Sequence, residues 1–236
     1  MARISVKGPI ISSNDQWIYD WFGIEATSPK KVDTEIEKAN GEDIEVHINS
    51  GGGSVFAGSE IYTALRSYKG DVVVKIVGLA ASAASVIAMS GKRILMSPTA
   101  QMMIHNVSAY SEGDYRDMEH TAEILRNANE TIANAYMLKS GMNKEELLGM
   151  MDKETWLTPH RAVELKLIDE IMFEENQVQL VASVGSSVLL PKEVIEKVRN
   201  SINNPIYSEK NELDFLIQQK TQSRLNLLKF GGRIHG

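Results

Sequence analysis

The stretch from Val72 to Asn106 constrains the fold of this chain more than any other. An apolar, β-branched run, Val72–Val77, gives way to small residues, then to Ala- and Ser-rich sequence, then to two further apolar runs separated by Ser97-Pro98. β-Branched runs bounded by Gly, Ser and Pro read as strands, and the Ala-rich piece between them reads as a helix. The pattern predicts strands over 72–77, 93–96 and 102–105, with a helix over 83–89. Upstream, the same signals predict strands at 4–6 and 44–48 and helices at 31–39 and 55–67. Strands and helices that alternate along a chain argue for an α/β layered fold.

Ser82 lies where the buried run meets the small residues, in Ala80-Ala81-Ser82-Ala83-Ala84. Small neighbours on both sides are what a tight strand-to-helix turn requires if it carries a nucleophile, because bulkier ones would crowd the backbone or block a substrate. The first amides of the following helix have no partner within it, so a developing oxyanion can receive them. Alone the motif is weak, since alanines stand where such elbows usually have glycines.

Two companions add weight. Upstream, the strand over 44–48 enters Asn49-Ser50-Gly51-Gly52-Gly53. Three consecutive glycines mark close backbone approach. A phosphate loop is disfavoured, because no Lys-Ser/Thr follows and the G-x-G-x-x-G spacing is missing. A plain strand-to-helix turn and half an oxyanion hole both remain open. Downstream, Met102-Met103-Ile104 delivers His105 at the end of a strand. Of the five histidines, His47 alternates with apolar residues in a strand, His120 lies in a helical pattern, His160 follows a proline and His235 is in the tail. Only His105 ends a strand near the Ser82 unit.

Together, Ser50-Gly51-Gly52-Gly53, Gly78 through Ala84, and Met103-Ile104-His105 resemble the three signature blocks of the Clp peptidase family, the self-compartmentalising serine proteases. A fourth block, Glu154 to Asp169, resembles the family segment that contains the triad acid. The blocks fall in the family order, and the resemblance covers roughly Arg3 to Phe173. It implies a ClpP/crotonase-like spiral of parallel strands and helices with a projecting handle helix. It also implies a Ser82–His105–Glu154 triad that cleaves peptide bonds inside an oligomeric chamber. His105 would take the proton of Ser82, and Glu154 would orient His105 and stabilise its imidazolium. The oxyanion would lie between the amides of Gly53 and Ala83, with Gly52 as the other first donor. No metal or cofactor is required. The implied partners are peptide or protein substrates, further copies of the chain in a heptameric ring or double ring, and an AAA+ unfoldase or capsid proteins.

Four positions depart from the family pattern. Gly51 replaces the usual Pro, Ala83 and Ala84 replace the usual Met and Gly, and Glu154 stands where the housekeeping enzymes carry Asp. These differences and the long C-terminal extension are more similar to the Clp-type proteases of phages and prophages that act in head maturation. Asp152, Asp169 and Asn106 are rival partners for His105. Ser85, one helical turn along, is the rival nucleophile, or else a small packing residue.

Composition narrows the remaining classes. A 236-residue chain can bury a sizeable core, and its net charge of −6 disfavours broad nucleic-acid binding. Without cysteine there is no thiol catalysis and no zinc–thiolate site. No signal peptide or membrane span is visible, and a cytoplasmic protein is expected. From Asp114 to Lys139, residues Tyr115, Met118, Ala122, Leu125, Ala128, Ile132, Ala135 and Leu138 recur at three- and four-residue steps, which predicts one long amphipathic helix. The resemblance makes this the handle that packs two rings face to face. The expected division is a protease domain over 1–173 and an extension over 174–236, carrying a strand over 178–184, a helix over 192–201 and an apolar, helix-capable segment around Leu213–Phe230. Three other readings stay open. One is a crotonase-type acyl-CoA enzyme that uses paired amides and no serine. Another is a non-catalytic scaffold subunit of the same fold. The third is a Ser–Lys peptidase with Lys75 or Lys92 as base.

Overall fold

The computed structural model describes residues 1–174. The chain runs β1 (Ala2–Lys7), α1 (Gln16–Trp21), α2 (Pro29–Ala39), β2 (Ile44–Ser50), α3 (Val55–Arg66), β3 (Val72–Ala81), α4 (Ala83–Ala88), β4 (Arg93–Met96), β5 (Gln101–Ile104), α5 (Tyr115–Ser140), α6 (Lys144–Asp152), β6 (Thr155–Leu157), α7 (Pro159–Glu164) and β7 (Glu170–Ile171). The expected α/β fold is found. The sheet runs β1-β2-β3-β4-β7, all neighbours parallel, and only β6 pairs antiparallel, with β5. The strands expected over 178–184 and the helices beyond it lie outside the described residues.

Alternation decides which face of the sheet is buried. Ile44, Val46 and Ile48 of β2 and Val72, Val74 and Ile76 of β3 point into the core. Their neighbours Glu45, His47 and Lys75 share the other face, where Lys75 Nζ donates to Glu45 Oε2 at 2.5 Å and His47 contacts Glu45 Oε1. The Lys75 ammonium, together with His47, holds the Glu45 carboxyl below its usual range.

β3 is the strand that builds the site, and it is longer than its apolar run. Val73–Ile76 pair with β4, while Leu79–Ala81 pair with β5 at 101–103. The strand therefore continues through Gly78 to Ala81 and serves two neighbours in succession. Gly78 permits this, because a Cβ there would lie 2.5 Å from Asn49 Oδ1.

α5 starts on a capping box, with the Asp114 carboxylate accepting from Arg116 and Asp117 amides and the Asp117 carboxylate accepting from the Asp114 amide. It stops at Gly141 in the left-handed conformation. No residue from Tyr115 through Ile132 is buried; Ala133, Ala135, Tyr136 and Ser140 are. The helix is thus anchored by its C-terminal turns and projects from the core at its start. The apolar stripe expected along it is only partly the buried face, since Leu138 is 75% exposed and Tyr136 is the residue that packs.

Candidate active site

Ser82 caps the N-terminus of α4 with φ 55 and ψ −128, a strained conformation for a residue with a Cβ. Surrounding bonds hold it there. Its amide donates to Met103 O at 3.0 Å, and its carbonyl accepts from the Ser85 amide, the Val86 amide and Ser85 Oγ. The small neighbours expected from sequence are required by space: Ala81, Ala83 and Ala84 are all buried.

β5 delivers the second group. His105 follows its last residue, and His105 Nε2 lies 2.8 Å from Ser82 Oγ. A nitrogen at that distance can accept the hydroxyl proton. The other histidines within the described residues are elsewhere: His47 is on Glu45, His120 is exposed on α5, and His160 is exposed near Glu174. Neither lysine considered as a base is on Ser82, since Lys75 binds Glu45 and Lys92 binds Asp71.

The glycine loop lies against this pair. Gly52, at φ +96, is buried so closely that a Cβ would come within 2.7 Å of Ser82 Cβ and of Ala81 O. Its amide is used by Ser50 Oγ at 3.1 Å. Gly53, at φ +150, bridges Ile10 of the N-terminal segment, with Ile10 donating to Gly52 O and Ser54 donating to Ile10 O. Among the described residues the amides of Gly53 and Ala83 make no backbone hydrogen bond outside regular elements, and both residues line one cleft with Ser82 and His105. Of the two glycines weighed, Gly53 has its donor free and Gly52 does not. Val55, Val86, Ile132 and Tyr136 add apolar walls to the cleft.

Glu154 is not on His105. It is exposed, at φ 49 in the turn between α6 and β6, and its Oε1 accepts from Trp156 Nε1 at 3.2 Å. Its rivals are also engaged elsewhere. Asp152 Oδ1 accepts from Asn106 Nδ2 at 2.7 Å, and Asp169 Oδ2 accepts from Lys139 Nζ and the Ile94 amide. Asn106 Oδ1 is buried without a partner among the described residues. The turn carrying Asp152 and Glu154 does reach the histidine strand, because Thr155–Leu157 pair with Met102–Ile104.

Ser85 is fully buried, so it is not exposed to a substrate. Its hydroxyl donates to Ser82 O at 2.6 Å and meets the Tyr136 hydroxyl at 2.8 Å. It is placed as a small packing residue of α4, not as a nucleophile, and its hydroxyl also joins the turn to α5. Tyr136 lies one position off the expected apolar stripe; the signal for it in the sequence is a bulky aromatic set among alanines, in Ala133-Asn134-Ala135-Tyr136. Among the described residues no group of three or more His, Asp or Glu is placed to hold a metal ion, and no helix is long and apolar enough to cross a membrane.

A serine on a strained strand-to-helix turn, with a histidine on its hydroxyl and free amides beside it, is an arrangement of the serine-hydrolase type. A family model described as Clp protease matches residues 34–175, more than half of the chain, and the chain belongs to that family. An ATP-dependent Clp protease proteolytic subunit of Bacteroides fragilis is 32% identical over 137 residues, 57% of this chain and 66% of that protein. The corresponding protein of Deinococcus radiodurans is 33% identical over 139 residues, 58% and 68% of the two chains. Proteolytic subunit 3 of Streptomyces avermitilis is 35% identical over 134 residues, 56% and 61%. The chain spans slightly less than two thirds of the length of the first relatives it matches.

Proposed function

We propose that this chain is a serine endopeptidase that cuts peptide bonds with Ser82 as nucleophile and His105 as general base. The observation that carries this reading is the 2.8 Å contact between His105 Nε2 and Ser82 Oγ beside the uncommitted amides of Gly53 and Ala83. His105 removes the hydroxyl proton as Ser82 Oγ attacks the substrate carbonyl. The Gly53 and Ala83 amides receive the oxyanion, and the imidazolium returns its proton to the leaving amine. Water then repeats the sequence on the acyl-enzyme. Glu154, at the family's acid position, turns from Trp156 toward His105 to stabilise the imidazolium. An exposed side chain on a short turn can make that movement with little loss of packing.

The chain works in the cytoplasm as a homo-oligomer whose subunits enclose the sites, with α5 reaching the neighbouring ring. The relatives' designation as ATP-dependent supports an AAA+ unfoldase as a partner. Gly51, Ala83, Ala84 and Glu154, with the extension beyond the matched region, support the phage head-maturation type, in which capsid proteins are the substrate. The decisive experiment is Ser82→Ala in the full chain. Peptide hydrolysis and fluorophosphonate labelling should both vanish while the oligomer mass is unchanged. Retained hydrolysis would exclude Ser82 and favour an amide-only, crotonase-type site.

A further inference from the structure

The structure assigns a positioning role to Tyr136 and Ser85: together they form a buried hydrogen-bonded strut that ties the long helix α5 to the carbonyl of Ser82 and holds the nucleophile's turn in its strained shape. The assignment rests on Ser82 being the nucleophile. Ser85 has one hydroxyl hydrogen, and Ser82 O, at 2.6 Å, is the acceptor it faces. The 2.8 Å contact between Ser85 Oγ and the Tyr136 hydroxyl is therefore donated by tyrosine. Tyr136 is 1% exposed and Ser85 is fully buried. Burial pushes the phenol well above its usual range, so it remains a donor.

The geometry gives the strut something to hold. Ser82 sits at positive φ without being glycine, and such a residue persists only where its surroundings over-determine it. On one side the Met103 carbonyl fixes the Ser82 amide. On the other, the first turn of α4 gathers on the Ser82 carbonyl, and Ser85 Oγ is the shortest of its contacts. α4 has only six residues, too few to hold such a turn by its own ladder. Tyr136 reaches it from the anchored end of α5, the same helix whose start projects from the core. The tyrosine ring also lines the cleft, while its hydroxyl is turned to Ser85. Removing the hydroxyl alone therefore leaves the cleft wall in place.

The test uses the full chain as wild type, Ser82→Ala, Tyr136→Phe, Ser85→Ala and the Ser85→Ala/Tyr136→Phe double variant. It measures kcat and KM on a fluorogenic peptide, the rate of fluorophosphonate labelling, and thermal stability. Tyr136→Phe and Ser85→Ala should each lower kcat and the labelling rate about tenfold, the scale of one lost buried hydrogen bond, with KM unchanged. The double variant should be no slower than the slower single one, because both act through one contact. It should also melt higher than Ser85→Ala, which leaves the phenol buried and unpaired. Lower melting temperatures with kcat and labelling at wild-type values would make the pair a packing feature and overturn the proposal. Loss of labelling in Ser82→Ala alongside normal rates in the strut variants would overturn the strut and leave the nucleophile standing. Wild-type activity in Ser82→Ala would remove both.

Discussion

The Ser82–His105 half of the site and the Glu154 half are built in opposite ways. Ser82 and His105 are brought together by parallel strands whose apolar faces are buried, and both the amide and the carbonyl of Ser82 have partners. Glu154 stands exposed on a short turn, its amide on Met151 O and its carboxylate on a neighbouring tryptophan. The first half is rigid because backbone hydrogen bonds and a buried side-chain contact secure its geometry. The second is adjustable because one exposed side-chain contact is all that holds its carboxylate. Under the proposed mechanism, a single folded chain preorganises attack and proton removal, and stabilisation of the charged histidine falls to a group that must still be placed.

This contrast can be broken first at its rigid end. Gly52→Ala should lower kcat/KM on a peptide substrate by roughly 100-fold or more, because its Cβ would meet Ser82 Cβ and Ala81 O at 2.7 Å, and misplacement of a reacting group by about 1 Å is that expensive. Near-wild-type turnover in this variant would show that the Ser82 turn is softer than its bonds suggest. At the adjustable end, Glu154→Gln should slow acylation about tenfold to 100-fold, since a neutral amide cannot stabilise imidazolium, with Glu154→Asp retaining part of the activity. Should Asp152→Asn be the inactive variant instead, the acid acts from the other side of the same turn. A smaller effect on chemistry, read chiefly as mass in solution, is expected from Leu125→Glu on the unburied part of α5. The oligomer should split into smaller species, with activity falling in proportion, whereas a fully active monomer would detach the site from assembly.

The smallest effect concerns pH. Asp114 caps α5, and the Arg116 side chain and backbone bonds hold its carboxyl below the usual value. A depressed carboxyl contributes stability that is present above its unfolded pKa of about 3.9 and is lost as pH falls through the lower folded value. Acidification below pH 4 should therefore speed hydrogen exchange in the first turn of α5 in the wild type. Asp114→Ala should show that faster exchange already at neutral pH.

Much of the rigid half was legible in the residues. β4 runs over 93–96 as its apolar run predicts, and the small residues around Ser82 and the strand-end position of His105 were enough to pair them. What sequence could not show was β3 continuing through Gly78-Leu79-Ala80-Ala81, because glycine and alanine are poor strand formers taken alone. They are tolerated there because β5 and the Asn49 side chain crowd that end of the strand. The Tyr136–Ser85 contact joins residues 51 positions apart, and no local pattern reports such a pairing. The bridge from Ile10 to Gly53 is hidden for the same reason. In the adjustable half, sequence placed Glu154 by its motif position, but the direction of an exposed side chain is decided by neighbours such as Trp156 that a motif does not encode.

The bond from the Ser82 amide to Met103 O has a consequence for biosynthesis. Ser82 leaves the ribosome before the strand that receives its amide and before the histidine that would activate it. β1, β2 and the glycine loop can already be in place at that moment. On the proposed mechanism the serine cannot yet attack, because the bond that fixes its amide is not yet made and an unassisted hydroxyl is a poor nucleophile. The amide's partner and the proposed base arrive together, when Met103 docks beside Ala81 and brings His105 with it. On that mechanism, the order of its residues protects the growing polypeptide from its own chemistry.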